Sequence, residues 1–107
     1  MTQSTSMTPI DLVSRIATRL GATLADTVGG KRYKGAVNTR AACSMVLHQL
    51  GWSVCDIQPL LGYSDPSAVT YALGVAGDRE RASAGFRDAT SFGLELGREA
   101  GLQRADA

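Results

Sequence analysis

Apolar residues recur every three or four positions along most of the chain, and nowhere do they alternate long enough to make a strand. Ile10, Val13, Ile16, Ala17 and Leu20 share one helical face. Thr8, Pro9 and Asp11 open that helix: Thr and Asp suit the capping positions and Pro suits the first helical one. Gly21 closes it. Thr23, with Asp26 three residues on, starts a short second turn to Val28, which Gly29 and Gly30 interrupt. A flexible basic loop is expected next. From about Thr39 the pattern is helical again, with Ala42, Cys43, Val46, Leu47 and Leu50 on one face as far as Gly51.

Ser53 and Asp56 repeat the capping spacing, flanked by Trp52 and Ile57 at the two staple positions, so Trp52 reads as a packing residue. Val54, Ile57 and Leu60 or Leu61 form the apolar side of a short helix that ends at Gly62. Pro59 lies inside it and predicts a kink. Asp65 and Pro66 start another helix, with Val69, Ala72 and Leu73 inward and Ser67, Thr70, Tyr71 and Gly74 on other faces. A last helical segment from about Asp78 to Leu96 places Ala82, Phe86, Ala89 and Phe92 or Gly93 together, weakened by Gly85, Gly93 and Gly97. The expected fold is therefore all-α, a small bundle of about five to six helices. The polar residues 1–7 form a disordered tail, 8–96 the domain, and 97–107 a frayed tail.

Composition is that of a folded single domain: 107 residues, 44% of them hydrophobic and 20% charged. Neither a membrane span nor a signal peptide is expected. Cys43 reads as a small core residue and Cys55 as an incidental one. With one histidine, His48, they are too few for a metal site, and reduced thiols point to the cytoplasm. No metal, cofactor or catalytic constellation is expected, so the chain reads as a non-enzyme. Net charge is +1, but Lys31, Arg32, Lys34 and Arg40 lie between Gly29 and Arg40 without an acid. This basic charge precedes the central helices.

Ser53 to Leu61, Gly62 to Ser64 and Asp65 to Leu73 have the spacing of a DNA-binding helix-turn-helix, whose second helix presents its N-terminal residues to base edges in the major groove. The stretch Ser53 to Ala72 resembles the C-terminal DNA-binding domain of the chromosomal replication initiator DnaA. Ser53, Asp56, Ile57, Gly62, Asp65, Ser67, Val69 and Ala72 carry the likeness, and its order extends back to Ile10 through Lys31, Arg32, Lys34 and Arg40. Pro66 and Ala68 stand where that family has a histidine and a threonine, and Asn38 where it has an arginine. The octapeptide Leu61 to Ala68 also resembles the second helix-turn-helix of AraC-type transcription regulators.

Both resemblances imply double-stranded DNA as partner. Asp65, Pro66, Ser67 and Thr70 would face bases, with Lys31, Arg32, Lys34, Asn38, Arg40, Ser64 and Tyr71 on the backbone or in the minor groove. The implied role is a small regulator or a replication-associated accessory in the nucleoid-containing cytoplasm. A homodimer or proteins of replication and transcription are its further partners. A phosphate-binding loop of the ATPase type is missing from the sequence. The alternative is a protein-interaction module that kept the fold and lost DNA contact, which Pro66, Ala68, Asn38 and the small net charge motivate.

Overall fold

Every helix but one begins where a side-chain oxygen accepts from a free backbone amide. The computed structural model describes residues 7–104, and these contain six helices and no strand. They are α1 (Pro9–Arg19), α2 (Leu24–Val28), α3 (Lys34–Gln49), α4 (Val54–Leu61), α5 (Pro66–Ala82) and α6 (Ala84–Glu99). Thr8 and Asp11 form the full reciprocal cap of α1. Thr23 and Ser53 also accept from the amides of Asp26 and Asp56. Those two carboxylates are used elsewhere: Asp26 accepts from the Tyr33 hydroxyl at 2.6 Å and Asp56 from Arg104 at 3.3 Å. The same sequence spacing thus yields one complete cap and two tertiary ties.

Helix α3 is the axis of the fold and packs against all five other helices. It is buried on more than one side, through Ala36, Thr39, Arg40, Ala41, Ala42, Cys43, Ser44, Val46 and Leu47. Such a helix shows no single apolar stripe, which hid its first turn from the sequence pattern. It starts at Lys34, five residues before Thr39, because burial of Ala36 outweighs the weak helix preference of Gly35.

Two further boundaries differ from expectation. Helix α5 does not stop near Leu73 but runs to Ala82, with Ala72 and Ala76 buried. The segment expected from Asp78 to Leu96 is divided at Ser83, whose extended backbone ends α5 and whose hydroxyl accepts from the Phe86 amide to start α6. The segment expected to fray from Gly97 is folded as far as Arg104. Gly93 and Gly97 let α6 lie directly on its neighbours. A Cβ on Gly93 would come within 2.7 Å of Ile16, and one on Gly97 within 2.6 Å of Leu50. Beyond α6, the Trp52 indole donates to the Leu102 carbonyl at 2.9 Å and the Arg104 amide to the Leu50 carbonyl at 2.7 Å. Apart from Met7, the expected N-terminal tail lies outside the described residues, as do residues 105–107.

Candidate nucleic-acid interface

Gly62 brings the basic loop and the start of α5 together. Its φ of +76° is the left-handed turn that ends α4, and the space a side chain would fill is occupied by the Val28 carbonyl. The end of α2, and with it the loop that follows, is therefore seated against the α4–α5 turn. Pro59 is exposed and α4 runs through it to Leu61.

That basic loop is tied to the helices around it by hydrogen bonds at both ends. Arg40 is only 8% exposed; its Nε donates to the Thr27 carbonyl at 2.7 Å and its Nη2 to the Lys31 carbonyl at 2.6 Å. Its guanidinium also lies 5.8 Å from the centre of the Tyr63 ring. Tyr33 closes the other end of the loop through its hydrogen bond to Asp26, which pushes the phenol above its usual range. Tyr63 is held by Gln58, which donates to its carbonyl, and by Ser44, whose hydroxyl lies 3.3 Å from the phenol oxygen. Burial raises its phenol as well.

Between the loop and α5 runs a groove of about 550 Å³, lined by Arg32 from the loop, Val37 and Arg40 from α3, Tyr63 and Ser64 from the turn and Tyr71 from α5. On the outer side of α5, Ser67, Thr70, Tyr71 and Gly74 form an exposed stripe at helical spacing, opposite buried Val69, Ala72 and Ala76. Tyr71 is 76% exposed. Asp65 caps α5 by accepting from the Ala68 amide at 3.1 Å, and it also accepts from the Ser67 hydroxyl. The Ser67 bond first, then the Ala68 bond, holds this carboxyl below the usual range.

The residues singled out in the sequence thus divide. Arg32, Ser64 and Tyr71 share the groove, and Asp65, Pro66, Ser67 and Thr70 lie exposed at the adjoining start of α5. Lys31 is exposed on the loop and Lys34 at the first position of α3. Arg40 lines the groove but is committed to holding the loop's shape. Asn38 does not join them: two residues from Arg40, it lies about 200° around α3 and lines a different pocket with Gly35 and Thr39.

Sequence reasoning also missed Arg79, the one residue with a buried side-chain nitrogen that lacks a hydrogen-bond partner among the described residues. A signal existed. Val69, Ala72 and Ala76 continue at helical spacing to Arg79, so it shares the buried side of α5 although the run Asp78 to Arg81 looks like solvated surface.

The two thiols sit in different surroundings. Cys43 is fully buried and its thiol is pushed up to about 12, while Cys55 is exposed. No cluster of metal-ligating side chains occurs among the described residues, and no helix there is long and apolar enough to cross a membrane. Comparison of the chain with family models, with curated proteins and with solved structures finds no match in any of the three.

Proposed function

We propose that this protein binds double-stranded DNA, with the exposed N-terminal half of α5 in the major groove and the loop from Gly29 to Tyr33 on the phosphate backbone. The observation that carries this reading is the shared groove: Arg32 of the loop, Ser64 of the turn and Tyr71 of α5 line one concave surface beside the free stripe of α5. Helices α4 and α5 play the bracing and reading parts of a helix-turn-helix. Asp65 accepts from a cytosine amino group, Ser67 and Thr70 offer hydroxyls to base edges, and Lys31, Arg32 and Lys34 meet phosphates. Arg40 acts from within by shaping the loop. The role is that of a small regulator or replication-associated accessory.

A protein-interaction module is the second reading. It draws on Tyr33, Val37 and Tyr71, three large apolar side chains that stay exposed at 50%, 36% and 76%. Two of them line the same groove.

Titration of the full chain against a random duplex pool at two salt concentrations, with the bound fraction sequenced, tests the proposal. A DNA-binding protein retains duplex with an affinity that falls steeply as salt rises. Lys31→Ala and Arg32→Ala weaken binding to all sequences, whereas Ser67→Ala changes which sequences are enriched. No retention at low salt rejects DNA binding and leaves the protein-interaction reading.

A further inference from the structure

We propose that the groove between the basic loop and α5 takes an unpaired base of a nucleic-acid strand, stacked on the Tyr71 ring, while the outer stripe of α5 meets paired bases by their edges. This rests on the reading of the loop and α5 as a nucleic-acid surface. It adds a preference for a strand with an unpaired position.

The lining suits a flat, apolar body. Ala68, Tyr71, Ala72 and Val75 follow one another at helical spacing, so one side of α5 supplies them all. The small alanines beside Tyr71 leave its ring uncovered, and the residue is 76% exposed. From α3, Val37 is also exposed, and buried Ala41 lies beneath. Stacking a base on Tyr71 takes apolar surface of both partners out of water. The volume of about 550 Å³ falls within the range of sites that enclose small organic ligands, roughly 300–1,000 Å³.

Charge decides what carries that flat body. Among the described residues that line the groove none is acidic, and Arg32 and Arg40 are its charged groups. Arg40 is engaged with the carbonyls of Thr27 and Lys31, which fixes the loop and leaves exposed Arg32 to meet an occupant. Nearby acids are used within the protein: Asp65 accepts from Ser67 and Ala68, and Asp26 from Tyr33. Lys31 and Lys34 stand exposed on either side of Arg32 in sequence, so positive charge continues along the path of a strand. An acidic peptide would satisfy the charge alone. An aromatic ring and a guanidinium plane at one groove instead select a planar occupant, since both stack on flat groups. A base inside a duplex has its faces covered by its neighbours, so only an unpaired one can be stacked in this way.

The test is a titration of the full chain at low salt with three oligonucleotides of one sequence: a fully paired duplex, the same duplex with one bulged base, and the single strand. Anisotropy gives the affinities, and NMR follows the Tyr71 ring protons. The bulged duplex is expected to bind at least about fivefold more tightly than the paired one, the lower end of what one base–aromatic stack contributes. The Tyr71 ring protons shift upfield with the bulged duplex, under the ring current of the base. Tyr71→Ala removes the advantage and Tyr71→Phe keeps it, because the ring rather than the hydroxyl is used. Val37→Asp, which places an acid in the groove, weakens the bulged duplex more than the paired one. Circular dichroism melting establishes that each variant folds. Equal affinity for paired and bulged duplexes, or an advantage that survives Tyr71→Ala, overturns the proposal and leaves duplex reading by α5 standing. Single strand bound with the upfield shift, while paired duplex is not retained, rejects the duplex reading and upholds this one. If no oligonucleotide is retained, both fall and the groove is left to the protein-interaction reading.

Discussion

Two arginines near the first turns of α3 are used in opposite ways. Around Arg40 the protein is closed: the guanidinium is buried, it binds the carbonyls of Thr27 and Lys31, and its neighbour Tyr63 is itself held by Ser44 and Gln58. Around Arg79 the hydrogen bonding is incomplete: one buried nitrogen has no acceptor among the described residues. The lesson is that a basic residue in a basic stretch need not be the one available to a ligand. Arg40 belongs to the stretch that looks like an anion-binding surface, yet its hydrogen bonds stabilise the loop. Arg79 stands among alternating charges that look like plain surface, yet its Nε–H lies buried without an acceptor among the described residues.

Substitutions sharpen this contrast, and the largest effect is expected at Arg40. Arg40→Ala removes bonds from a charged donor to two carbonyls and leaves those acceptors without it, which costs about 1.5–3 kcal/mol per bond at the upper limit of independence. Denaturant unfolding reads this loss directly. Arg40→Lys does not restore it, because an ammonium lacks the fork that reaches Thr27 and Lys31 together. An Arg40→Ala protein as stable as the unaltered chain would remove the closed side of the comparison.

Next in size is Gly62→Ala, in the same region. The left-handed backbone alone costs about 1–2 kcal/mol for a residue with a Cβ, and the Val28 carbonyl must also move. The melting temperature falls accordingly. Tyr63→Phe is smaller, about 0.5–1.5 kcal/mol, because only the contact of the phenol with Ser44 is lost while the ring stays beneath Arg40.

Asp65→Ala is distinguished by its pH dependence. The folded carboxyl is held below its ordinary value, so its contribution to stability is fully present above the unfolded-state pKa and is lost as pH falls through the lower, folded one. Thermal unfolding across acidic pH shows the unaltered protein more stable than Asp65→Ala at neutral pH, and the gap closes only below the usual carboxylate range. A gap independent of pH would mean that the Asp65 charge plays no part in the cap. The smallest effect is expected at Arg79: Arg79→Ala changes stability by no more than about 1 kcal/mol in denaturant unfolding, since the packing lost with its partly buried stem is offset by removal of an unpaired buried donor.

Much of the fold was legible because helix starts depend on neighbours in sequence. Thr8, Thr23, Ser53 and Asp65 all accept from the amide three residues on, as their spacing predicts. The ends of α3 and α5 were not legible, because burial against distant residues set them. Gly35 and Gly74 look like interruptions, yet the helices pass through them while Ala36 and Ala76 are buried beside them. Gly93 and Gly97 likewise look like weak points in a helix, and instead they are where α6 approaches Ile16 and Leu50. At the candidate interface, the exposure of Ser67, Thr70 and Tyr71 followed from helical spacing. The separation of Asn38 from Arg40 was also implicit in that spacing, once both were placed on one helix.

By itself the sequence determined the helical class, the starts of the helices that begin with a capping side chain, and the turn at Gly62, because each depends on interactions within a few residues. Only the tertiary structure decided which charged groups are available. That depends on which carbonyls and carboxylates come within hydrogen-bonding distance, as Thr27 and Lys31 do for Arg40 and as nothing among the described residues does for the Nε of Arg79. A guanidinium has the same charge wherever it stands, and only its surroundings determine whether its donors hold the chain together or stay unmatched.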